Sequence, residues 1–159
     1  MSASSAAVAW ESLFRAQVHL MRQFEAAKDF RPLSSREYDV LFTLSRSENP
    51  MRLRDLNAHV LLSQPSLSRM VERLATAGWV QRTVADDDGR GVVISLTPAG
   101  ARLQQKIGRR HVRSIAARID PVLTEDERRQ RAEAHRAELD RKVKRLRANG
   151  GLLVVGGAR

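Results

Sequence analysis

Apolar residues in the first third of the chain recur every three or four positions, a pattern that predicts helices. The first run covers residues 10–24 and places its apolar side chains on one helical face. A second helix is expected over residues 34–45, because Ser34 and Glu37 have the spacing of a capping box. The N-terminal part of the chain is therefore predicted to be helical.

The stretch MRLRDLNAHVLLSQPSLSRMVERLATAGWV, residues 51–80, predicts a helix, a turn and a second helix. Leu53, Leu56 and Val60 indicate a short helix, which the sequence LLSQP interrupts. The helix that follows has apolar residues at positions i, i+3, i+4 and i+7, namely Leu67, Met70, Val71 and Leu74. With Ser63 as N-cap, Pro65 falls in the first turn, where its missing N–H costs no hydrogen bond.

Beyond Gly78, a candidate helix terminator, the pattern becomes that of strands. The runs WVQRTV and GVVISL are separated by an acidic turn, and Asp88-Gly89 in that turn is a hairpin signal because both central positions need positive φ. Thr97-Pro98 then reads as an N-cap and first residue of a long helix that ends before Pro121. We expect a two-stranded hairpin followed by a long helix.

A last helix is predicted from Thr124 to about Arg147, because Thr124 and Glu127 form a second capping box. Its apolar seam is narrow, as expected for a helix laid against a partner, and consists of Leu139, Val143 and Leu146. The glycine-rich end of the chain is predicted to be a flexible tail.

The order of elements predicts a mainly α fold with a small β-hairpin wing, that is, a winged helix-turn-helix flanked by N- and C-terminal dimerisation helices. The expected layout is an N-terminal dimerisation helix over residues 1–33, a winged DNA-binding domain over 34–100, C-terminal dimerisation helices over 101–147 and a flexible tail over 148–159.

Composition narrows the class of partner. The 159 residues include 28 Lys and Arg against 18 Asp and Glu, a formal net charge of +10, which favours a polyanionic partner such as nucleic acid or an anionic membrane. The chain has no cysteine, so disulfides, thiolate metal sites and cysteine nucleophiles are excluded. No signal peptide or run of 18 apolar residues is present, so we expect a soluble cytoplasmic protein without a membrane partner.

The second helix of the helix-turn-helix is the candidate recognition helix. If its apolar side faces the core, the opposite side is free to enter the major groove of double-stranded DNA, which is wide enough for one helix. The predicted DNA contacts on this side are Gln64, Ser66, Ser68, Arg69 and Arg73. Arginine can bind guanine through two hydrogen bonds and glutamine can bind adenine, whereas serine suits phosphates or either base edge. The alternative is an ordinary solvated helix face.

The acidic turn before Arg90 suggests a second contact. A hairpin tip that carries one arginine has the shape to enter a minor groove, where negative potential is strongest over A·T-rich tracts. Asp88 can hold the Arg90 guanidinium in a fork and so reduce the ordering cost on binding. Asp86 and Asp87 are expected to cap or solvate the turn. In the plainer interpretation all three acids are turn formers and Arg90 is a surface charge.

Residues 62–100, LSQPSLSRMVERLATAGWVQRTVADDDGRGVVISLTPAG, closely resemble the recognition helix and wing of MarR (multiple antibiotic resistance regulator) repressors. That family's wing ends in Asp-x-Arg and leads through Leu-Thr-x-x-Gly into the next helix. Asp88-Gly89-Arg90 and Leu96-Thr97-Pro98-Ala99-Gly100 match these motifs. Gly89 departs from the pattern, because the family often has a second arginine there. The order of elements resembles the family over about residues 8–147.

The resemblance implies a homodimer that binds pseudo-palindromic operators, represses transcription and is released by a small aromatic or phenolic effector. That effector would bind in the crevice between the dimer helices and the winged domain. Two recognition helices related by two-fold symmetry would read half-sites about one helical turn apart.

A basic run follows the wing: between Arg90 and Arg118 the chain has seven basic residues and no acid. These residues could add phosphate contacts, but pairing with the acids between Glu125 and Glu138 across a dimer is the favoured interpretation.

Other candidate sites carry weaker signals. No histidine has another at i+4, so no metal site or cofactor is expected, and His19, His59, His111 and His135 are interpreted as surface or packing residues. Aromatic residues at helical spacing could line an effector pocket, but a core role is favoured for Trp10, Phe14, Tyr38 and Phe42. No arrangement of nucleophile and base is recognisable, so no enzyme is predicted.

The sequence alone is also compatible with two alternative functions. One is a DNA-architectural protein of the same fold with little sequence preference, which would show steep salt dependence and a small ratio of specific to non-specific affinity. The other is a winged-helix protein interaction module, which would bind DNA weakly and tolerate Arg69→Ala and Arg90→Ala.

Overall fold

The computed structural model describes residues 3–84, 91–130 and 132–133, and these fall into two compact units that divide after Ser114. The elements in chain order are α1 (Ala3–Ala26), α2 (Ser35–Ser45), β1 (Met51–Arg52), α3 (Leu53–Asn57), α4 (Gln64–Thr76), β2 (Val80–Val84), β3 (Val92–Leu96) and α5 (Pro98–Ile119). Residues 125–130 and 132–133 are also helical. The predicted helices and both wing strands are confirmed within the described residues.

The predicted helix starts have the expected hydrogen bonds. Ser34 and Glu37 form a complete capping box at α2: the Ser34 N–H donates to Glu37 Oε2 at 2.9 Å, and the Glu37 N–H donates to Ser34 Oγ at 3.2 Å. The same arrangement joins Thr124 and Glu127, with bonds of 2.8 and 3.3 Å. The second box starts the helical segment of residues 125–130. The narrow seam and the tail predicted beyond it lie outside the described residues.

A three-stranded antiparallel sheet has the order β1-β3-β2. The β2–β3 hairpin pairs Val80 with Leu96 and continues to Val84 opposite Val92. The sequence analysis did not foresee β1, which pairs Met51 with Ile94 on the other side of β3. Because of β1, the inner strand of the wing is hydrogen-bonded on both sides and anchored to the helical core.

One apolar core holds the first unit together. It draws on α2, α3, α4, the sheet and α5 through fully buried side chains, the largest being Leu41, Leu56, Leu67, Leu74, Ile94 and Ile107. Burying one such side chain contributes about 1.5–3 kcal/mol. The core side of α4 is thereby fixed, and its opposite side is directed away from the protein.

The expectation that the four helical aromatic residues lie in the core is wrong for three of them. Tyr38 is 8% exposed, but Trp10 is 69%, Phe14 55% and Phe42 40% exposed. Helical spacing shows that residues share a face, but not what covers that face. In α1 the apolar face is covered near its C-terminal end, where Phe24 is buried, and is open toward its start.

A buried carboxylate links the connection between α1 and α2 to α5. Asp29 is 1% exposed, and its two oxygens bond His111 Nδ1 at 3.0 Å and Ser114 Oγ at 2.7 Å. The Arg110 side chain donates to the backbone carbonyl of Asp29 at 2.7 Å and to that of Arg31 at 2.5 Å. These bonds satisfy a charge whose burial would otherwise be costly.

Candidate nucleic-acid interface

Helix α4 begins where the sequence predicts. Ser63 is the N-cap, with φ −68° and ψ 148°, and Pro65 lies in the first turn. The Ser63 hydroxyl donates to Ser66 Oγ at 2.9 Å instead of capping a backbone N–H. The turn before α4 is fixed by Asn57, whose side-chain amide donates to the Leu62 carbonyl at 2.7 Å.

The predicted recognition residues lie on the outer side of α4. Gln64, Arg69 and Arg73 are exposed, and Ser66 and Ser68 are half-buried. The other side of the helix is buried and consists of Leu67, Met70, Val71 and Leu74. Arg69 has no ion-pair partner among the residues that the structure describes, so its guanidinium is available to a ligand.

Arg73 is held differently from Arg69. Its Nη2 lies 3.6 Å from Glu37 Oε1, while the other Glu37 oxygen serves the capping box of α2. Burial raises the pKa of Glu37, but hydrogen bonds from Ser34 and the charge of Arg73 outweigh it and lower the pKa below its usual value. The lowered pKa keeps Glu37 ionised at neutral pH, so its negative charge partly neutralises the positive charge of Arg73.

A second acidic residue connects α4 to the wing. Glu72 Oε1 lies 3.9 Å from Arg82 Nη1 on β2, and both side chains are exposed. Within the hairpin, the Gln81 side chain donates to Ser95 Oγ across the strands at 3.1 Å. The outer surface of β2 thus lies next to the outer side of α4.

The predicted wing-tip residues lie outside the part of the chain that the structure describes. They are Asp88 and Arg90, together with Asp86 and Asp87. The strands leading to the tip are described as far as Val84 and from Val92, and both of these side chains are exposed. The hairpin therefore points its last described residues away from the core.

The end of α4 is fastened to the start of α5. Gly78 has φ 77° and follows α4, and the N–H of Trp79 donates to the Leu74 carbonyl at 2.9 Å, as in a Schellman turn. The Thr97 hydroxyl donates to the Gly78 carbonyl at 2.7 Å and accepts from the Gly100 N–H at 3.0 Å. A Cβ at Gly100 would stand 1.8 Å from the Trp79 carbonyl oxygen, so this close approach requires glycine.

Other site classes find little support in the described part of the chain. Across residues 3–84, 91–130 and 132–133, no group of three or more His, Asp or Glu side chains could hold a metal ion. No helix in these segments is long and apolar enough to cross a membrane. His111 is a packing residue between the rings of Phe24 and Phe30, each with its centroid at 4.7 Å.

Sequence reasoning missed two residues of this surface. Glu37 was predicted only as part of the capping box, and Arg82 was not singled out within the predicted strand WVQRTV. The available signal was that acids and arginines occupy neighbouring elements, but a sequence does not show which of them meet across the fold. The roles of Glu37 and Arg82 follow from the packing of α2 and β2 around α4.

Comparison with known proteins gives the family. The MarR family profile matches residues 32–91. The transcriptional regulator PecS of Dickeya dadantii is 32% identical over 109 residues, which cover 67% of this chain and just under two thirds, 65%, of PecS. The transcriptional regulator Mb0904 of Mycobacterium bovis is 30% identical over 104 residues, covering 65% of this chain and 72% of that protein.

Solved structures agree with this assignment. The MarR family regulator AbsC of Streptomyces coelicolor has a TM-score of 0.70 at 27% identity, covering 93% of this chain and 98% of AbsC. The PcaV regulator of the same organism, solved with its natural ligand, has a TM-score of 0.58 at 26% identity, covering 77% of this chain and 90% of PcaV. The chain belongs to the MarR family of winged-helix transcriptional regulators.

Proposed function

We propose that this protein is a sequence-specific DNA-binding transcriptional regulator that binds pseudo-palindromic operators as a homodimer and represses transcription. In this proposal α4 lies in the major groove and reads bases through Gln64, Arg69 and Arg73, with Ser66 and Ser68 at phosphates or base edges. The wing places Arg90 in the adjacent minor groove, with Asp88 orienting it.

The observation that carries the proposal is the outer side of α4. This helix buries one side completely and presents exposed hydrogen-bonding side chains on the other, including Arg69 without an ion-pair partner in the described segments. It also stands next to the exposed strand β2, to which Glu72 connects it. A helix and a neighbouring hairpin in this arrangement suit two adjacent grooves of one duplex.

Selection from a random duplex library tests this proposal. The purified full-length protein is incubated with the library at near-physiological salt, and the retained duplexes are sequenced. We expect a two-fold symmetric motif with half-sites about one helical turn apart. A featureless or merely A·T-rich pool would favour the architectural alternative, and retention of no duplex would favour the protein interaction module.

The exposed face of α1 supports the homodimer. Trp10, Leu13 and Phe14 are 69%, 68% and 55% exposed, and a cluster of large apolar side chains in water is unfavourable unless another surface covers it. The expected partner is a second copy, since the family resemblance implies a two-fold dimer of the terminal helices. In sedimentation, Leu13→Glu/Phe14→Glu should weaken the dimer, and the charge-reversing control Arg22→Glu should not.

A cavity between α1 and α2 supports the small-molecule effector. Its volume is about 360 Å³, within the range of ligand pockets. Its walls combine the apolar side chains of Phe30, Pro32 and Leu33 with charged groups of both signs, namely Lys28, Arg31, Glu25 and Asp29. This lining suits a small aromatic or phenolic molecule that carries hydrogen-bonding groups.

Benzoate and salicylate are suitable probes of this cavity. Binding should raise the melting temperature progressively as the ligand concentration exceeds its Kd, and should lower operator affinity. Lys28→Gln should weaken both effects. Arg22→Gln is the control, because it also removes one positive charge but Arg22 does not line the cavity. If neither compound changes melting or operator affinity, this cavity is not the effector site.

A further inference from the structure

Helix α5 carries a line of positive charge that the recognition surface does not use. Its 22 residues contain five arginines, one lysine and no acid, whereas α4 has two arginines and one glutamate. Four of these cations recur at steps of four, three and four residues and are all exposed: Arg102, Lys106, Arg109 and Arg113. We name these four residues the basic stripe.

The spacing places the basic stripe on one side of the helix. Steps of three and four residues keep side chains within one face, and the eleven residue steps from first to last span about 16 Å along the axis. The core side of α5, with Gly100 and Ile107 buried, lies elsewhere on the helix. The stripe is therefore a continuous, solvent-facing row of charge.

The basic stripe has no acidic neighbour in the described part of its own unit. Across residues 3–84 and 91–114, none of its four members has an ion-pair partner. Arg110 on the same helix shows the contrast, because its guanidinium donates to the carbonyls of Asp29 and Arg31. Like charges three and four residues apart destabilise a helix, so the isolated stripe costs the protein stability.

Three of the described acids that follow α5 are engaged within their own segment. Asp120 bonds Arg128 at 3.0 Å and Asp126 bonds Arg129 at 2.6 Å, both within their own segment. The Glu127 carboxylate accepts from the N–H and hydroxyl of Thr124. Of the acids to which the sequence analysis assigned the basic run, Asp126 and Glu127 are therefore already engaged.

We infer that the basic stripe is a second nucleic-acid contact, which binds the phosphate backbone of duplex DNA without reading its sequence. This inference rests on the proposed function, which brings the DNA polyanion to the protein. A DNA strand carries one negative charge per 3.4 Å of helix axis, so a 16 Å row of cations can face several phosphates. Release of their counterions favours binding and makes it salt-dependent.

The test compares two charge-matched double variants of the full-length protein. Lys106→Gln/Arg113→Gln removes two charges from the stripe, and Arg15→Gln/Arg22→Gln removes two exposed charges from α1. Glutamine is a good helix former, so both should fold. Affinity is measured on an operator duplex and on a scrambled duplex of equal length, from about 50 to 200 mM salt.

We expect the stripe variant to lose about tenfold in affinity for both duplexes at low salt, with a salt slope smaller by about 2. Its ratio of operator affinity to scrambled-duplex affinity should equal that of the wild type. In the α1 variant, the affinities, the salt slope and this ratio should all equal those of the wild type. An unchanged salt slope would overturn the inference. If the salt slope is unchanged and sedimentation shows a weaker dimer, the stripe contacts a second copy of the chain instead of DNA.

The same measurement separates this inference from the proposed function. Loss of discrimination between operator and scrambled duplex by the wild-type protein would refute sequence-specific recognition. The salt slope on the scrambled duplex tests the stripe whether or not such discrimination exists.

Discussion

Helices α4 and α5 lie on either side of the wing in the sequence, and they carry their positive charge in different ways. On α4, Arg73 stands 3.6 Å from Glu37, and the helix's own Glu72 stands 3.9 Å from Arg82. On α5, the four cations of the basic stripe have no acid on their helix. The acidic neighbours lower the net charge around α4, whereas the basic stripe of α5 has no ion-pair partner among the described residues of its unit.

Under the proposed function, this difference predicts two kinds of DNA contact. An arginine with a nearby carboxylate gains less from phosphates in general and depends more on a well-placed hydrogen-bond acceptor. A row of unpaired cations attracts any phosphate backbone and distinguishes sequences poorly, whereas a single unpaired arginine such as Arg69, on a helix that fits the major groove, can reach a base edge. The comparison therefore predicts that α4 governs specificity and α5 governs the sequence-independent part of affinity.

Gly100→Ala should have the largest effect, because it disrupts the contact that joins the two helices. The added methyl would stand 1.8 Å from the Trp79 carbonyl oxygen, so backbone must shift. We expect a loss of about 3 kcal/mol in the free energy of unfolding, at the upper end for overpacking. Urea denaturation measures it.

Gly108→Ala on the same helix is the matched control for that substitution. Its added methyl would meet the Tyr38 hydroxyl at 3.2 Å, which a side chain can relieve by a small movement. Alanine also favours the helix by about 1 kcal/mol over glycine. Equal destabilisation by the two substitutions would contradict the role given to the Trp79 contact.

Arg69→Ala should have the next largest effect and should act on specificity. If Arg69 reads a base, its loss costs about 1–3 kcal/mol of operator affinity and leaves the scrambled duplex nearly unaffected. Fluorescence anisotropy on both duplexes measures the difference, with Arg22→Ala as the control. An equal loss of affinity for both duplexes would show that Arg69 binds DNA without reading sequence, and would contradict the proposed difference between α4 and α5.

Glu37→Gln should have the smallest effect and should make α4 more like α5. Releasing Arg73 from its carboxylate is expected to raise affinity for the scrambled duplex about twofold to fivefold, the size of a partly exposed ion pair. Glutamine at this position still supports a capping box, so the helix start is retained.

The pH dependence of stability provides a second measure of Glu37. Its pKa is lowered in the folded protein, so ionised Glu37 stabilises the fold above the ordinary value of 4.5 and loses this contribution as pH falls through the lowered pKa. The stability of the wild type relative to Glu37→Gln should therefore decline on acidification below about pH 4.5. A difference that does not change with pH would show that the charge of Glu37 is unimportant.

Local signals explain why so much of the fold could be predicted. The Ser34 and Thr124 capping boxes, Pro65 in the first turn of α4 and the positive φ of Gly78 each depend on residues within a few positions of one another. Such features are readable because their energetics involve neighbours along the chain. The outer side of α4 was predictable for the same reason, as the complement of its apolar side.

Long-range contacts explain the rest. Strand β1 has two residues, too few to show an alternation, and exists because β3 offers it a free edge. The Asp29 and His111 pair is separated by 82 positions, and the pairing of Glu37 with Arg73 also depends on helix packing. The solvent exposure of Trp10 in α1 was not predicted, because periodicity shows which residues share a face but not whether another element packs against that face.

The hydroxyl of Thr97 has a mechanical consequence. It bonds both the turn that ends α4 and the backbone that begins α5, and glycine at position 100 lets the two backbones touch. Because the two backbones meet at this junction without spare volume, a tilt of α5 at its first turn would also move the end of α4.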